Sequence, residues 1–283
     1  MYPTQFDYAR AGSVEEALSL GAADGAKFLA GGHSLIPAMK LRLSTPSTLV
    51  DIGRLASLKG ISKSSGKVKV GALTTHASCA ASSDLPKVWS EAAGLIGDPQ
   101  VRNRGTVGGN IAHADPASDL PTVLVALHAN INIQSSSGSR SVSADDFFID
   151  LFTTALQEGE IVTSVEVGAE TDQGSAYVKL ANPASRYAIV GVAVQLDIDR
   201  GVCKSASVAI GGCTNKATRA SAVEAALVGK KLDDAAISAA AAAITSDLGD
   251  EVNGDMHASA EYRLAVAPGL VAQAIKTAAG RTE

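Results

Sequence analysis

Hydrophobic and polar positions along the first 170 residues predict helices and strands in alternation. Their periodicity predicts helices over 13–20, 35–42, 75–81, 87–97 and 118–127. Strands are predicted over 27–30, 48–51, 68–70, 107–112, 130–134 and 140–143, with a hairpin turn in the serine-rich segment 135–139. Ser13 and Glu16 have the spacing of a capping box, and Thr75 or Thr74 is suited to cap the third helix. The first β-α-β-type unit is therefore expected to form its own small subdomain.

A stretch without periodicity, 168–174, separates this part from a second pattern. Three strand-like segments follow at 176–181, 188–197 and 203–211, and helices are predicted over 218–228, 233–246 and 259–279. The alanine-rich segment 235–244 is expected to be a closely packed helix. The pattern predicts an α+β protein with one domain at 1–170, comprising subdomains of about 1–57 and 58–170. A second domain at 175–283 would contain a three-stranded antiparallel sheet backed by a helical bundle.

Two glycine pairs are the strongest candidates for chemistry. Gly31-Gly32 follows a predicted strand, and Gly108-Gly109 precedes an acidic segment. Adjacent glycines let backbone N–H groups approach a bulky anion, because no Cβ intervenes. A single pair is usually only a turn, whereas two pairs with hydroxyl or amide neighbours could grip both phosphates of a dinucleotide.

The residues around both pairs resemble a known family. AGGHSLIPAMK (30–40) and QVRNRGTVGGNIA (100–112) resemble the two flavin-binding motifs of the FAD-carrying medium subunits of molybdenum hydroxylases, which include carbon monoxide dehydrogenase and xanthine dehydrogenase. The resemblance runs from 3–8 to 258–263. It implies a two-subdomain FAD-binding fold of the PCMH/vanillyl-alcohol-oxidase type, followed by the C-terminal domain.

The resemblance also implies a set of cofactor-binding residues, and because no nucleophile–base pair or paired carboxylates stand out in the sequence, no catalytic side chain is predicted. The set is Ala30, Gly31, Gly32, His33, Ser34, Leu35, Ile96, Thr106, Val107, Gly108, Gly109, Asn110, Asp119, Val162, Lys179 and Tyr187.

Several members of this set have a structural alternative. His33 could simply cap the next helix, and Ile96 and Val162 could be core residues. The carboxylate nominated to accept ribose hydroxyls is Asp119 rather than Asp115, and its alternative role is a helix N-cap. Lys179 alone would be interpreted as a solvated strand residue. Tyr187 is a candidate to cover the isoalloxazine ring.

Composition narrows the function further. The net charge of −5 and 19% charged residues give no indication of a nucleic-acid partner. No apolar run approaches the ~20 residues of a membrane span, and Asp7 and Arg10 interrupt any secretory signal, so a cytoplasmic protein is expected. Cys79, Cys203 and Cys213 fit no zinc or iron–sulfur spacing, and His76, His113 and His128 are expected to be ordinary hydrogen-bonded or surface residues. No metal site is therefore predicted.

The implied function is electron transfer in a molybdenum-containing dehydrogenase or hydroxylase. FAD would take electrons from iron–sulfur clusters on a small partner subunit and pass them to an external acceptor, while a large molybdenum-cofactor subunit oxidises the substrate. A dimer of heterotrimers is expected, and the carbon-monoxide-dehydrogenase-like branch is favoured. Two alternatives remain open: a self-contained FAD oxidoreductase of the same fold, and a binding subunit that has lost the flavin.

Overall fold

A three-stranded parallel sheet begins the chain. The computed structural model describes residues 1–169 and 174–281. Its first sheet has the order β1-β3-β2, and the elements here are β1 (Asp7–Arg10), α1 (Val14–Gly21), β2 (Ala26–Leu29), α2 (Leu35–Lys40), β3 (Thr48–Asp51) and a 3₁₀ turn at Ala56–Leu58. Because all three strands are parallel, their carboxyl ends share one edge of the sheet.

The start of α1 is set by its capping residues. Ser13 Oγ accepts a hydrogen bond from the Glu16 N–H at 3.1 Å, and the Glu16 carboxylate accepts one from the Gly12 N–H at 2.7 Å. The predicted box therefore forms, with its return bond one residue earlier than in the standard motif. Ala17 and Leu18 are buried against the sheet.

The second sheet is antiparallel and has the order β4-β5-β10-β6-β7. Its strands and the short hairpin beside it are β4 (Ile61–Ser64), β5 (Lys67–Gly71), β6 (Asn130–Ser135), β7 (Gly138–Ser143), β8 (Phe148–Asp150), β9 (Thr153–Thr154) and β10 (Ile161–Gly168). The helices of this region are α3 (His76–Ala80), α4 (Lys87–Leu95), α5 (Pro99–Arg102), α6 (Val107–His113), α7 (Asp119–Ala126) and α8 (Ala144–Phe147). Every residue of α7 is buried, so this helix runs through the core.

The C-terminal region contains the three long antiparallel strands that the sequence predicts. A short fourth strand joins them in the order β11-β12-β13-β14. The elements are β11 (Gly174–Ala181), β12 (Ala188–Asp199), β13 (Val202–Gly211), β14 (Thr218–Arg219), α9 (Ser221–Leu227), α10 (Asp234–Ala242), α11 (Ile244–Leu248) and α12 (Ala260–Ala279). The helix predicted over 233–246 is thus divided in two. Its alanines Ala240 and Ala241 pack with Ala267 of α12 in one buried cluster, as expected.

The strand predicted over 107–112 is wrong, because this segment is helix α6. Val107 and Ile111, both fully buried, are four residues apart, which is the spacing of one helical face. Thr106 caps the helix by accepting a hydrogen bond from the Gly109 N–H at 3.3 Å. Strands β1, β4 and β10 and helix α5 were not predicted. β1, β4 and α5 are short and carry few buried residues, whereas β10 is a long central strand that the sequence analysis missed. Part of the predicted domain boundary, 170–173, lies outside the described residues.

Helices α4 and α7 lie against the C-terminal sheet. The N–H of Val88 in α4 donates to Ser175 Oγ of β11 at 3.2 Å, and Arg281 forms an ion pair with Glu91 of α4 at 2.6 Å. Tyr177 of β11 is buried in the same cluster as α7. This packing brings Lys179 of β11 next to the end of α4, which precedes Ile96, and next to Asp119 of α7. Within 1–169 and 174–281, no helix has the length and hydropathy needed to cross a membrane.

Candidate functional site

The first glycine pair lies at the carboxyl edge of the parallel sheet, directly after β2. Gly32 has φ +75°, a conformation that residues with a Cβ rarely adopt. A Cβ at Gly31 would overlap the carbonyl oxygen of Arg104 and lie 3.1 Å from the Gly105 Cα. The loop after β2 therefore rests on the backbone that leads into the second motif.

This loop presents free backbone donors. No hydrogen bond joins the N–H groups of Gly32, His33 and Ser34 to any described residue. Ser34 is the N-cap residue of α2 and makes no side-chain cap bond, and His33 Nδ1 lies 3.2 Å from the Gly31 carbonyl oxygen, so the imidazole does not cap the helix. Leu35 is the first residue of α2. Three neighbouring N–H groups at a helix start form a site suited to an anion.

The second glycine pair contributes space rather than donors. The Val107 N–H donates to the Thr74 carbonyl at 3.0 Å, and the Gly108 N–H donates to the Ala72 carbonyl at 2.7 Å. These bonds fix α6 to the second sheet, so the sequence-based expectation that the amides of this motif form an anion nest is not met by these two residues. A Cβ at Gly109 would lie 2.8 Å from Thr106 Oγ1 and 3.6 Å from the Ala30 Cβ. The two glycine motifs therefore face each other.

A cleft of about 540 Å³ opens beside this junction, between the first and second sheets. Its charged lining residues are Arg10, Asp51, Arg54, Lys59 and Arg104. Of the four cations, Arg54, Lys59 and Arg104 form no salt bridge with a described residue. The Asp51 carboxylate accepts hydrogen bonds from the Tyr8 hydroxyl at 2.6 Å and the Gly53 N–H at 2.8 Å. The cleft therefore has a net positive lining.

His76 is buried next to this junction rather than exposed or hydrogen-bonded, which corrects the expectation for that residue. Its side chain is packed against Gly105, where an added Cβ would lie 3.0 Å from Nε2. Its Nδ1 has no hydrogen-bond partner among the described residues. Burial, and then the nearby His33, lower its pKa to about 4, so the ring is neutral at neutral pH. His128 is exposed, as expected.

A second group of nominated residues surrounds the ammonium of Lys179. Nζ donates to Asp119 Oδ2 at 2.8 Å, to the Arg186 carbonyl at 2.7 Å and to the Leu95 carbonyl at 3.0 Å. The side chains of Lys179 and Asp119 are 2% and 4% exposed, so Lys179 is not the solvated strand residue that its sequence context alone suggests. The Tyr177 hydroxyl donates to Asp119 Oδ1 at 2.5 Å. Burial raises the pKa of Tyr177 well above its ordinary value, so this hydroxyl stays protonated.

Ile96 and Tyr187 belong to this group through their neighbours in the chain. Ile96 follows Leu95 at the end of α4, and Tyr187, 44% exposed, follows Arg186. Partial burial, followed by the charges of Asp115 and Asp119, raises the pKa of Tyr187.

One hydrogen bond connects the glycine junction to the group around Lys179. Ser118, at the N-cap position of α7 immediately before Asp119, donates from Oγ to Asn110 Oδ1 at 2.8 Å. Asp119 is thus the first residue of α7. The N-cap position, which was the alternative role considered for Asp119, is occupied by Ser118. Val162 is the exception among the nominated residues, because it is buried in β10 within the core and takes part in none of these contacts.

Sequence reasoning missed Tyr177, Arg102 and the cleft cations. Arg102 and Arg104 lie inside the second motif, so their position in the sequence could have marked them as candidate site residues. For Tyr177 the sequence offered only its spacing of two residues from Lys179, which places both on the same face of a strand. The described residues contain no cluster of three or more His, Cys, Asp or Glu side chains suited to a metal ion. Cys79, Cys203 and Cys213 are free and buried.

Comparisons with known proteins cover both halves of the chain. The family model "FAD binding domain in molybdopterin dehydrogenase" matches residues 4–169, and "CO dehydrogenase flavoprotein C-terminal domain" matches 175–278. The chain is similar to the glyceraldehyde dehydrogenase medium chain of Sulfolobus acidocaldarius, with 41% identity over 99% of this chain and 100% of that one. It is also similar to the carbon monoxide dehydrogenase medium chain of Hydrogenophaga pseudoflava, with 37% identity over 99% of both chains. A solved structure of the carbon monoxide dehydrogenase from that organism superposes with a TM-score of 0.95, 38% identity and 99% coverage of both chains.

Proposed function

The chain belongs to the family of FAD-binding subunits of molybdopterin dehydrogenases, and from this premise we propose how it holds FAD and what it does in its complex. Membership rests on the match over 4–169 and on relatives that are similar over nearly the whole chain. It confirms the sequence-based predictions of the family, the fold, an FAD cofactor and an oxidoreductase subunit.

The junction of the two glycine motifs carries the proposal for FAD placement. The pyrophosphate binds the free N–H groups of Gly32, His33 and Ser34, with Gly109 opposite them where a side chain would fill the space. Thr106 and Asn110 lie beside it and supply a hydroxyl and a carboxamide. The residues present therefore fit a dinucleotide, with the donors supplied mainly by the first motif.

The two halves of FAD extend to opposite sides of this junction. The adenosine phosphate half occupies the positively lined cleft, where Arg54, Lys59 and Arg104 are available to an anionic ligand. The isoalloxazine half extends toward Asp119, Lys179, Ile96 and Tyr187, because the Ser118–Asn110 hydrogen bond connects that group to the junction.

The role of the subunit is electron transfer. When bound, FAD supplies the exchange between one-electron carriers and a two-electron acceptor. The side chains of this polypeptide bind and orient the cofactor, and no nucleophile–base pair was identified in its sequence. Related chains are medium subunits of multi-subunit dehydrogenases, which implies a large and a small partner carrying the molybdenum cofactor and the iron–sulfur clusters. Substrate oxidation then occurs on another subunit.

The carbon-monoxide-dehydrogenase-like branch is supported by similarity to medium chains of that enzyme in sequence and structure. We propose an assembly of two heterotrimers in the cytoplasm. The three free, buried cysteines support a reducing compartment. The substrate is determined by the large subunit, since relatives that share this fold carry names with different substrates.

Reconstitution of the isolated chain tests the proposal. The purified chain should bind one FAD but should not reduce it with any substrate that the native complex oxidises. Gly109→Val should release FAD, because its side chain would occupy the space next to Thr106 and Ala30, while the exposed Gly269→Ala control should retain it. Substrate-dependent bleaching of flavin in the isolated chain would instead favour the self-contained oxidoreductase. Failure of the wild-type chain to bind FAD would refute the proposal.

A further inference from the structure

Cations hold three consecutive backbone carbonyls at the end of α4. Lys179 Nζ donates to the Leu95 carbonyl at 3.0 Å. One guanidinium nitrogen of Arg102 donates to the Ile96 carbonyl at 3.1 Å and to the Gly97 carbonyl at 2.7 Å. Gly97 has φ +47°. Arg102 belongs to α5, which begins two residues after Gly97. The turn 95–97 is therefore fixed from both sides by charged donors.

The Lys179 ammonium has no donor left for a ligand. An ammonium carries three N–H groups, and here they bind Asp119, Leu95 and Arg186. These acceptors lie on three separate segments: the start of α7, the end of α4 and the loop before β12. Two of the three bonds are to the carbonyls that immediately precede Ile96 and Tyr187. Lys179 thus links the segment of Ile96, nominated as a cofactor contact, to that of Tyr187, nominated to cover the flavin ring.

We propose that Lys179 and Arg102 are positioning residues, which hold the turn 95–97 and the segment 186–187 as two walls of the flavin-ring site without donating to the cofactor. The inference rests on the proposed function, since it presupposes that FAD binds with its ring near Asp119. It gives Lys179 a different role from the direct contact that family resemblance implies, and it assigns a role to Arg102.

The buried surroundings explain why charged donors are used here. Hydrogen bonds to a charged donor are about twice as strong as neutral ones, and Lys179 is shielded from water, with only 2% of its side chain exposed. Asp119 offsets the charge of the ammonium, and Tyr177 occupies the other carboxylate oxygen. The whole group is consequently satisfied within the protein, which favours a rigid wall over a ligand-binding donor.

Paired variants separate positioning from contact. Lys179→Met removes all three bonds, and Arg102→Gln removes the charged guanidinium that donates to Ile96 and Gly97. The matched controls are Lys63→Met, an exposed lysine on β4, and Arg200→Gln, whose side chain is 94% exposed. Each protein is titrated with FAD and with ADP, which lacks the ring. The visible circular dichroism and midpoint potential of bound flavin are then measured, with far-ultraviolet circular dichroism to confirm folding.

We expect both site variants to weaken FAD binding by at least about tenfold, because loss of a charged hydrogen bond within the protein releases a wall against which the flavin ring packs. Affinity for ADP should be unchanged, and the visible dichroism of bound flavin should change in both. If Lys179→Met fails to fold, Arg102→Gln alone carries the test. Arg102→Gln behaving like its control would overturn the proposal, whatever Lys179→Met does. Failure of the wild-type protein to bind FAD would instead refute the proposed function on which the inference rests.

Discussion

Replacing Gly31 with alanine tests whether the two glycine motifs must touch. The new Cβ would overlap the Arg104 carbonyl oxygen and lie 3.0 Å from its carbonyl carbon and 3.1 Å from the Gly105 Cα. All three are backbone atoms, so no side-chain rotation relieves the overlap and the two segments must separate. Overpacking of this kind costs about 1–3 kcal/mol.

For a protein of this size, such a loss lowers the unfolding temperature by about 2–12 °C. Separation also moves the Gly32–Ser34 donors away from Gly109. Loss of one hydrogen bond to a charged phosphate, about 1.5–3 kcal/mol, weakens FAD binding at least about tenfold. Thermal unfolding without FAD and a flavin fluorescence titration measure the two effects.

The control is Gly269→Ala in α12, where a Cβ meets no atom within 4 Å. It should be neutral or stabilising by up to about 1 kcal/mol, since alanine is favoured over glycine within a helix. If Gly31→Ala matched the wild type in unfolding temperature and in FAD affinity, the close contact between the motifs would not be required and the reasoning would fail.

Three further predictions concern charged and titratable groups. The folded-state pKa of His76, about 4, lies below its ordinary 6.5, so the unfolded chain binds more protons between these values and stability should fall as pH drops from 6.5 to 4. Denaturant unfolding at pH 7 and pH 5 should show this slope in the wild type and a shallower one in His76→Phe. The bidentate hydrogen bonds from Arg140 lower the pKa of Glu160, so its contribution to stability is present above pH 4.5 and is lost as pH falls through the folded-state value. Glu160→Gln should lower the free energy of unfolding at pH 7 and make it depend less on pH below 4.5. The same dependence on pH in both proteins would contradict this prediction. Arg219 binds Asp145 of α8 and Glu224 of α9 in a partly exposed site, so Arg219→Met should reduce the free energy of unfolding by about 1–2 kcal/mol; a loss below that of exposed Arg200→Gln would exclude this role.

The sequence predicted most of the fold because the relevant signals are local. Ser13 with Glu16, the alternation in β12 and the helical period of α12 each specify an element without tertiary context. At 107–112 the Val107–Ile111 spacing indicates a helix, but Gly108 and Gly109 have a low intrinsic helix propensity, so local signals alone do not favour a helix there. Short edge strands such as β4 carry almost no hydrophobic pattern, so they become visible only when β5 pairs with them.

The sequence nominated residues for the candidate site, and their role in binding FAD stays a prediction, but it could not give their geometry. The motifs and the wider family resemblance nominated the glycines, Asp119 and Lys179. They could not indicate that the Val107 and Gly108 amides are used by Thr74 and Ala72, because those acceptors belong to a different part of the chain. Nor could they show that Lys179 is saturated, since its carbonyl partners at Leu95 and Arg186 are joined only by the packing of β11 on α4.

The order of reduction in the native complex tests the central claim, that this chain receives electrons from partner clusters through a bound flavin. The complex is mixed rapidly with its substrate, and the iron–sulfur and flavin absorbance bands are followed separately. The account predicts that iron–sulfur reduction occurs no later than flavin reduction. Flavin reduction that preceded the clusters would show that electrons enter through this subunit and would contradict the account.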